Sequence, residues 1–340
     1  MSNTAVPQAA SEKRYAFAEQ ATFGTAIADD AAATQIHCEP FEIDRDIKVT
    51  DNPVSYGSRS LRESNKIVHS KRAMPFFTVT GPANHASLDY FLYSVIQNVS
   101  EGETTPYAKT FTLGSTQPDF VGNAGWFGTF FERDPAASKT TKAVDVIGKN
   151  ITLSIKPGER LKYSLDAIGR GLASVTSNPS GTWTDEDEAD SWWFEDVDRI
   201  SLDFGAGAVN FMLSEFELKV GYDNIEACGQ DGSGSFQVYG LGTPILEAKI
   251  VIVKDADYHT ALSNFSGNTA VDFRLGWGNA TAGTDDGDLD FVGHGKIKAT
   301  AKAHDAVMKG ELTLDLLESD DGSTDEALTI VMANAVDRTW

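Results

Sequence analysis

Three kinds of segment carry residue types that could bind a metal ion or a nucleotide. His, Cys and Glu are consecutive at 37–39, and carboxylates crowd the segments TDDGDLD (284–290) and ESDDGSTDE (318–326). Imidazole and thiolate groups bind zinc, and carboxylates bind calcium. The segment GAGAVN (205–210) has two of the three glycines of a dinucleotide-binding loop.

None of these patterns is complete. Consecutive residues of a strand point to opposite faces, so at most two of residues 37–39 could share one site. The last ligand of an EF-hand is its twelfth residue, which counting from Asp285 is Lys296. No helix pattern follows 205–210. We therefore predict no metal or cofactor and expect solvated turns at the acidic segments, with calcium binding as the alternative.

The histidines and cysteines do not form a catalytic pattern either. The six histidines lie in separate predicted elements, and the chain has no Gly-Lys-Ser/Thr phosphate loop. Cys38 and Cys228 are far apart, so they form neither a zinc motif nor a disulfide framework, and we predict two buried thiols. We predict that the protein is not an enzyme.

The net charge of the chain argues against some classes of binding partner. Fifty acidic and 28 basic residues among 340 give a formal net charge of -22. A field of this sign repels nucleic acid and anionic membranes, which argues against sequence-specific DNA binding. No apolar run approaches the roughly 18 to 20 residues that span a bilayer, and no secretory signal is visible at the N-terminus. We expect a soluble protein made in a cytoplasm.

Most of the hydrophobic pattern has the two-residue period of strands. In the segment 147–171 a run of alternating residues turns at Pro157-Gly158 and alternates again, which predicts a hairpin with one buried face. Helical spacing occurs only at 84–99 and 255–265, and residues 100–125 have no period and are interpreted as a loop or insertion. The fold class is mainly β with short helices. The apolar residues of the hairpin are Ile151, Leu153, Ile155, Leu161, Tyr163 and Leu165.

The order of predicted elements repeats along the chain. Phe41 lies 175 residues before Phe216 in a similar strand, whereas Ile151 lies 146 residues before Ile297. The difference indicates an insertion of about 29 residues in the first copy. A chain of this length also favours two packed cores. We predict an N-terminal segment and two similar β-domains joined by a linker, with bounds at 1–14, 15–180, 181–198 and 199–340.

The predicted linker is strongly acidic. Eight acidic residues and no basic one lie between Asp185 and Asp198, a composition typical of a solvated boundary. Trp192, Trp193 and Phe194 interrupt this segment. Because large aromatic side chains are seldom left in solvent, we expect them to hold the linker against a domain or a neighbouring subunit.

One segment has the opposite charge to the rest of the chain. Residues 45–72, the basic arm, carry seven Lys or Arg and three Asp or Glu, and about 20 residues separate the flanking strands. Such an arm can bind the acidic surface of another copy. An ordinary flexible hairpin and DNA are the alternatives. The proposed contacts are Arg59, Arg62, Lys66, Lys71 and Arg72.

With these features in place, the chain resembles the major tail tube proteins of long, non-contractile-tailed bacteriophages. The resemblance is carried by YAFAEQATFGTA (15–26), by the strand pair at 147–171 and by the position of the basic arm. It implies two tandem β-sandwich or barrel-like domains, each with one flanking helix. Their sheets, including the hairpin 147–171, would join between subunits around a channel, and the arm would be the contact between rings.

The same resemblance implies the partners and the location. Chains with two such domains form threefold rings with pseudo-sixfold symmetry, and sixfold rings are the alternative. The rings stack into a hollow tube through which genomic DNA passes without specific binding. The other partners would be tape-measure, terminator and initiator proteins, with no membrane. The protein would be assembled in the host cytoplasm and reside in the virion tail.

A second interpretation of the chain is a surface or decoration protein with two β-domains that binds carbohydrate or capsid. Exposed tryptophans in loops would favour sugar binding. The candidates are Trp126, Trp183 and Trp277.

Overall fold

The structure is a computed structural model, and it is mainly β, with one sheet of many antiparallel strands. The residues that it describes are 13–20, 24–25, 27, 33–41, 43, 48–51, 66–69, 75–102, 104–113, 127–134, 139–175, 183–185, 187, 190–205, 207–230, 236–254, 270–278, 283–304, 308–319 and 326–335.

The elements of the first half are β1 (Arg14–Gln20), β2 (Thr34–Ile36), β3 (Lys48–Asp51), β4 (Lys66–His69), β5 (Phe76–Pro82), α1 (Leu88–Ile96), β6 (Val99–Glu101), β7 (Tyr107–Leu113), β8 (Phe127–Asp134), β9 (Lys139–Ile155), β10 (Lys162–Ile168), β11 (Gly171–Val175) and β12 (Thr184–Asp185). Those of the second half are β13 (Val197–Asp203), β14 (Ala208–Asn210), β15 (Leu213–Tyr222), β16 (Ile225–Gln230), β17 (Phe236–Leu241), β18 (Pro244–Val253), β19 (Val271–Trp277), β20 (Leu289–His304), β21 (Met308–Leu316) and β22 (Leu328–Asn334).

Strand pairing repeats between the two halves. In the first half the pairing orders are β2-β1-β8-β9-β11 and β5-β10-β9. In the second half they are β14-β13-β19-β20-β22 and β18-β21-β20. Each half therefore has two groups of strands that share one long strand, β9 or β20.

The long strands change partners at equivalent points. The register of β9 with β10 shifts at Lys149, and that of β20 with β21 shifts at Lys298, so each strand has a bulge at a lysine. A bulge bends its strand, which lets one strand serve two sheets. These bulges place the copies 149 positions apart, so Ile151 corresponds to Thr300 and not to Ile297 as the spacing of 146 suggested.

The two halves join edge to edge. Six residues of β15, from Phe216 to Gly221, pair with β9 from Ile155 to Asn150. The result is a continuous antiparallel run of seven strands, β5-β10-β9-β15-β18-β21-β20. Gly221 lies at this seam with φ +145, and a Cβ there would clash with the Asn150 Cα, so the close backbone approach requires glycine.

A second junction comes from the inserted hairpin, which we define as β6 and β7. Strand β7 pairs with β22 over seven residues, from Tyr107↔Asn334 to Leu113↔Leu328. The interpretation of 100–125 as a loop is therefore wrong for 107–113, where Phe111 and Leu113 are buried. The alternation was weak because the buried face of β7 begins with Lys109, so only Phe111 and Leu113 mark it as apolar. Residues 114–126 lie outside the described residues.

Buried charges strengthen this junction. The Lys109 ammonium has no exposed surface, and its Nζ lies 2.7 Å from Asp89 Oδ2 on α1 and 2.8 Å from Asn334 Oδ1 on β22. Asn334 Nδ2 also donates to the His85 carbonyl oxygen at 2.7 Å. One network thus connects the helix, the inserted hairpin and the last strand, and it satisfies groups whose burial would otherwise be costly.

The helix predicted at 84–99 is confirmed as α1. Asn84 Oδ1 accepts from the Ala86 N–H and its carbonyl oxygen accepts from the Leu88 N–H, so Asn84 organises the turn that begins the helix. Ser87 is the N-cap residue but makes no side-chain cap hydrogen bond. The helix predicted at 255–265 lies outside the described residues.

The hydrophobic core does not divide into two. One cluster of buried residues extends from Tyr15 to Met332 and includes Phe91 of the helix and both sides of the seam. Two packed cores were expected, and the described residues of both halves instead share one main cluster, because β9 and β15 pair directly and bury their side chains against the same interior. Strand β13 begins at Val197, so the end of the predicted linker 181–198 belongs to a strand.

Candidate assembly surfaces

The hairpin identified from sequence lies at the seam. Its six apolar residues are all buried at 2% exposure or less. Across the seam, Ile151, Leu153 and Ile155 pair with residues of β15. Their partners are Val220, Leu218 and Phe216, which are also buried. The prediction that this face of the hairpin is buried is confirmed, and its β9 side chains pack in the core that both halves share.

The opposite face of the seven-stranded run is polar. One row across six strands is Thr80, Ser164, Thr152, Lys219, Glu247 and Asp315. Ion pairs cross this face, such as Lys249–Glu311 at 3.4 Å and Lys298–Glu247 at 2.7 Å. Lysines and carboxylates alternate, so the polar face has mixed charge although the chain is acidic.

One edge of the run ends at β20. Beyond Ile297 its described residues pair only with β21, since β19 and β22 pair with its first part. The Lys254 N–H donates to the Met308 carbonyl oxygen. The backbone N–H and C=O groups of Met308, and of every second β21 residue after it, therefore point to β18. The N–H and C=O groups of Lys309 and Glu311 point to β20. Because polar groups alternate along an antiparallel pair, the N–H groups of Thr300 and Lys302 point away from β21.

The other edge of the run is β5, and an extended segment lies against it. The Glu39 N–H donates to the Thr80 carbonyl oxygen at 2.7 Å, and Phe41 and Ile43 pack on the core. In the order of elements, this segment comes before β5 in the first half, just as β15 comes before β18 in the second half. It is thus the first-half counterpart of the strand that forms the seam.

Both halves carry a two-stranded hairpin at the same place in their order. In the first half β3 pairs with β4, from Lys48↔His69 to Asp51↔Lys66, so the basic arm has a paired base. The expectation that about 20 residues, Asn52 to Lys71, separate the flanking strands is therefore wrong at Lys66–His69, which form a strand. Of the proposed contacts, Lys66 begins β4, and Arg59, Arg62, Lys71 and Arg72 lie outside the described residues. In the second half, β16 pairs with β17.

Two of the segments that suggested metal or nucleotide binding have carboxylates that bond the backbone, and residues 320–325 of the acidic segment 318–326 lie outside the described residues. Asp288 Oδ2 accepts from the N–H groups of Thr284 and Asp285, and Asp203 Oδ1 accepts from those of Gly205 and Gly207. Both carboxylates therefore organise turns, as side chains of Asp often do. Within the described residues, no three His, Cys, Asp or Glu side chains form a group that could hold a metal ion.

Cys38 is half-buried and not disulfide-bonded, so the prediction of a buried thiol is only partly met. It belongs to the segment 37–43 and packs at the margin of the core. The side chain of Cys228 lies outside the described residues. The described part of the chain also has no helix long and apolar enough to cross a membrane.

The tryptophans near the predicted linker are mostly anchors. Trp192 is buried, its ring centroid is 4.3 Å from that of His85, and its Nε1 donates to the Gly287 carbonyl oxygen at 2.7 Å. Trp183 and Trp277 are buried as well, so neither is available to a sugar, and Trp126 lies outside the described residues. Trp193 is 38% exposed, and Phe194 packs against the core.

A small apolar cluster supports the base of the second hairpin. Tyr222 packs with Phe127, Ile147, Ile168 and Ile225 and is almost fully buried. Burial disfavours the phenolate and raises the pKa of Tyr222 to about 12.

Comparison of the chain with protein-family models finds no match, and comparison with curated proteins finds none at the threshold applied. The geometry of the paired halves and their edges is therefore the basis for a functional assignment.

Proposed function

We propose that this protein is the major tail tube protein of a long, non-contractile-tailed bacteriophage. The two halves would be tandem tail-tube domains, and copies would assemble into stacked rings around a channel for genomic DNA. The observation that carries the proposal is the seam between β9 and β15, because it joins two similar halves edge to edge and leaves a matching edge at each end of the run.

The seam supplies a template for contact between copies. Strand β9 beyond Lys149 pairs with β15 of the same chain, and among the described residues the equivalent part of β20 beyond Lys298 pairs with β21 alone. The counterpart of β15 is the segment at 37–43 that lies against β5. We expect β20 of one copy to pair with this segment of the next. Such head-to-tail contacts close into a ring when the rotation per copy divides a full turn.

Ring closure also has a physical advantage for each chain. An open edge presents unpaired N–H and C=O groups that promote uncontrolled pairing with other strands. Pairing every edge with a neighbouring copy satisfies these groups and leaves no edge exposed. Three copies would give six similar units around the axis, in agreement with the threefold rings that the resemblance implies.

We assign the polar face of the seven-stranded run to the channel. Its side chains are hydroxyls and ion-paired charges of both signs, such as Ser164, Thr152 and the pair Lys249–Glu311. A surface of this kind offers DNA no continuous basic strip, and the exposed aromatic ring among its described residues is that of Phe76 at the start of β5, an edge strand of the run. It would let DNA move past without specific binding. Tape-measure, terminator and initiator proteins would define the length and the ends of the tube.

The proposal is tested by electron microscopy of the concentrated protein, with rotational averaging of end-on views. We expect hollow rings or tubes with threefold symmetry and a weaker sixfold repeat. Discrete monomers at every concentration, in the presence or absence of tail initiator complexes, would contradict it.

A variant of the open edge gives a sharper test. Lys302→Pro removes an N–H that points away from β21, so the fold should persist while pairing with the next copy is blocked. Lys302→Thr is the matched control, since it changes the same side chain but keeps the N–H. We expect rings from the Thr variant and monomers from the Pro variant. Rings of normal yield from a folded Lys302→Pro variant would show that this edge is not the contact.

A further inference from the structure

The hairpin β16–β17 of the second half is held against the first half by apolar residues. Its first residue pair is Ile225 and Leu241. Both belong to one apolar cluster with Ile147 and Ile168 of the first half. Ile147 and Ile168 are themselves opposite each other across β9 and β10, and both are buried. This contact beside the seam therefore has an apolar pair on each side.

The corresponding pairs in the other halves are charged or polar. The hairpin β3–β4 has the same place in the order of elements as β16–β17, and its first pair is Lys48 and His69. Lys296 lies two residues before the bulge of β20, as Ile147 lies two residues before that of β9, and it pairs with Asp315. The Asp315 side chain is 47% exposed. Both sides of the apolar contact thus have polar counterparts elsewhere in the chain.

Asp315 belongs to an acidic concave surface. This surface, of about 550 Å3, is formed by the start of β18 and the end of β21. Among its described residues three are carboxylates, Glu247, Asp315 and Glu318, and one is a lysine, Lys298. The Lys298 Nζ lies 2.7 Å from a Glu247 oxygen and 3.1 Å from an Asp315 oxygen. One ammonium shared by two carboxylates leaves the concave surface with a net negative charge.

The segment that enters β3 has the opposite charge. Residues 45–49, RDIKV, form the start of the basic arm and have two cations and one carboxylate. They directly follow the segment 37–43, which we expect to pair with β20 of a neighbouring copy. In the seam, β15 pairs with β9 and the chain then enters β16, whose first residue packs beside β9. The same path would bring the start of β3 beside Lys296 and Asp315 of the neighbouring copy.

We propose that the base of the basic arm of one copy binds the acidic concave surface of the next copy in the same ring. The inference rests on the proposed function and deepens it, because it names a charged contact beside the strand pairing at the edge of β20. It concerns the base of the arm at Lys48, whereas the resemblance assigns the arm to contacts between rings.

A physical reason favours charge at this contact and apolar residues at the seam. The seam forms once, when the chain folds, so its apolar cluster is never left in water. The surface between copies is exposed until assembly, and an exposed apolar patch would promote aggregation. Opposite charges favour pairing of β20 with the segment 37–43, and the like charges of two acidic surfaces oppose pairing of two β20 edges.

Charge reversal and its compensation test the contact. Lys48→Glu places a carboxylate opposite the acidic surface, and Glu318→Lys places an ammonium opposite the basic segment. Glu318 is exposed and leaves the pairs of Lys298 intact. We expect each single variant to need at least about tenfold more protein than the parent to form rings in sedimentation and electron microscopy. The double variant should form rings within about threefold of the parent concentration.

Two controls keep the outcome specific. Lys249→Glu changes the net charge as much as Lys48→Glu does, but it lies on the middle of the polar face and should leave the concentration for ring formation unchanged. Urea unfolding should give the same stability for the single variants and the parent.

Chemical cross-linking gives a second measurement on the unaltered side chains. A carbodiimide joins a lysine to a carboxylate that it contacts. In rings made from a mixture of isotopically labelled and unlabelled protein, we expect Lys48 of one copy to be linked to a carboxylate of the concave surface of another copy. Links of Lys48 confined to carboxylates of its own copy would contradict the contact.

The outcomes separate this contact from the proposed function. If both folded single variants form rings at the parent concentration while Lys302→Pro stays monomeric, the charged contact is overturned and the paired edge of β20 remains. If the unaltered protein forms no rings, the proposed function fails and this contact with it.

Discussion

Replacement of Lys109 by Met tests the junction between the inserted hairpin and the last strand. Met has a similar length and no charge, so the change removes the ammonium while retaining most of the packing. The Lys109 and Asp89 side chains have no exposed surface, and their charged atoms are 2.7 Å apart. Removal of one partner of a buried pair costs about 3 to 5 kcal/mol, because the remaining charge stays in a poorly polarisable interior.

The free energy of unfolding in urea, followed by tryptophan fluorescence and by circular dichroism, measures this loss. We expect one transition for the parent protein, since the two halves share one core. Lys162→Met is the control, because Lys162 pairs with Glu159 at the surface with both side chains about half exposed. Its effect should be below about 1 kcal/mol.

A double variant separates charge from packing. Asp89→Asn in the Lys109→Met background removes the fully buried carboxylate and leaves Glu101, whose Oε1 lies 3.5 Å from the Lys109 Nζ of the parent and whose side chain is 11% exposed. It should recover at least about 1 kcal/mol relative to Lys109→Met alone. A loss under about 1 kcal/mol for Lys109→Met would refute the account of the network as a buried junction. Two separate transitions in the parent would refute the shared core.

Two other measurements test the seam and its surroundings. Leu153→Ala should lower the free energy of unfolding by about 2 to 5 kcal/mol, because it leaves a cavity between β10 and β15, whereas Thr152→Ala on the polar face should change it by less than about 1 kcal/mol; equal effects in urea unfolding would contradict the assigned faces. The pKa of Tyr222 is raised to about 12, so the neutral phenol stabilises the fold fully below pH 10, and this contribution is lost as the pH rises from 10 to about 12. Tyrosinate absorbance should therefore show the same number of tyrosines titrating near pH 10 in the parent and in Tyr222→Phe. Equal losses of stability of the parent and of Tyr222→Phe in this range would exclude the effect.

The local hydrophobic pattern was sufficient to predict most of the strands and their order along the chain. Strict alternation at 151–155 and 161–165 predicted a hairpin with one buried face, and the turn at Pro157-Gly158 is where the structure has it. The similar order of elements in the two halves also predicted a repeat, which the pairing of strands displays. A two-residue period determines which side chains share a face, and this information is local.

The candidate surfaces were harder to predict from sequence. Leu328, Ile330 and Met332 alternate with less buried residues, so β22 could have been identified as a strand from its pattern. Its pairing with β7 had no signal, because the backbone hydrogen bonds of a ladder are the same for most sequences. Trp193 was predicted only as an anchor, and its exposure beside Arg160 depends on the distant turn between β9 and β10.

By itself the sequence determined the mainly β class, the buried face of the hairpin, the helix α1 and the repeated order of elements. Only the tertiary structure decided that β9 pairs with β15, that the inserted hairpin pairs with β22 and that, within the described part of the chain, β20 beyond Ile297 pairs with β21 alone. The physical reason is that alternation specifies the face of a strand but not its neighbour. The neighbour is selected by packing between residues far apart in the chain, such as Leu153 on Leu218, and by the position of bulges that no local period reveals.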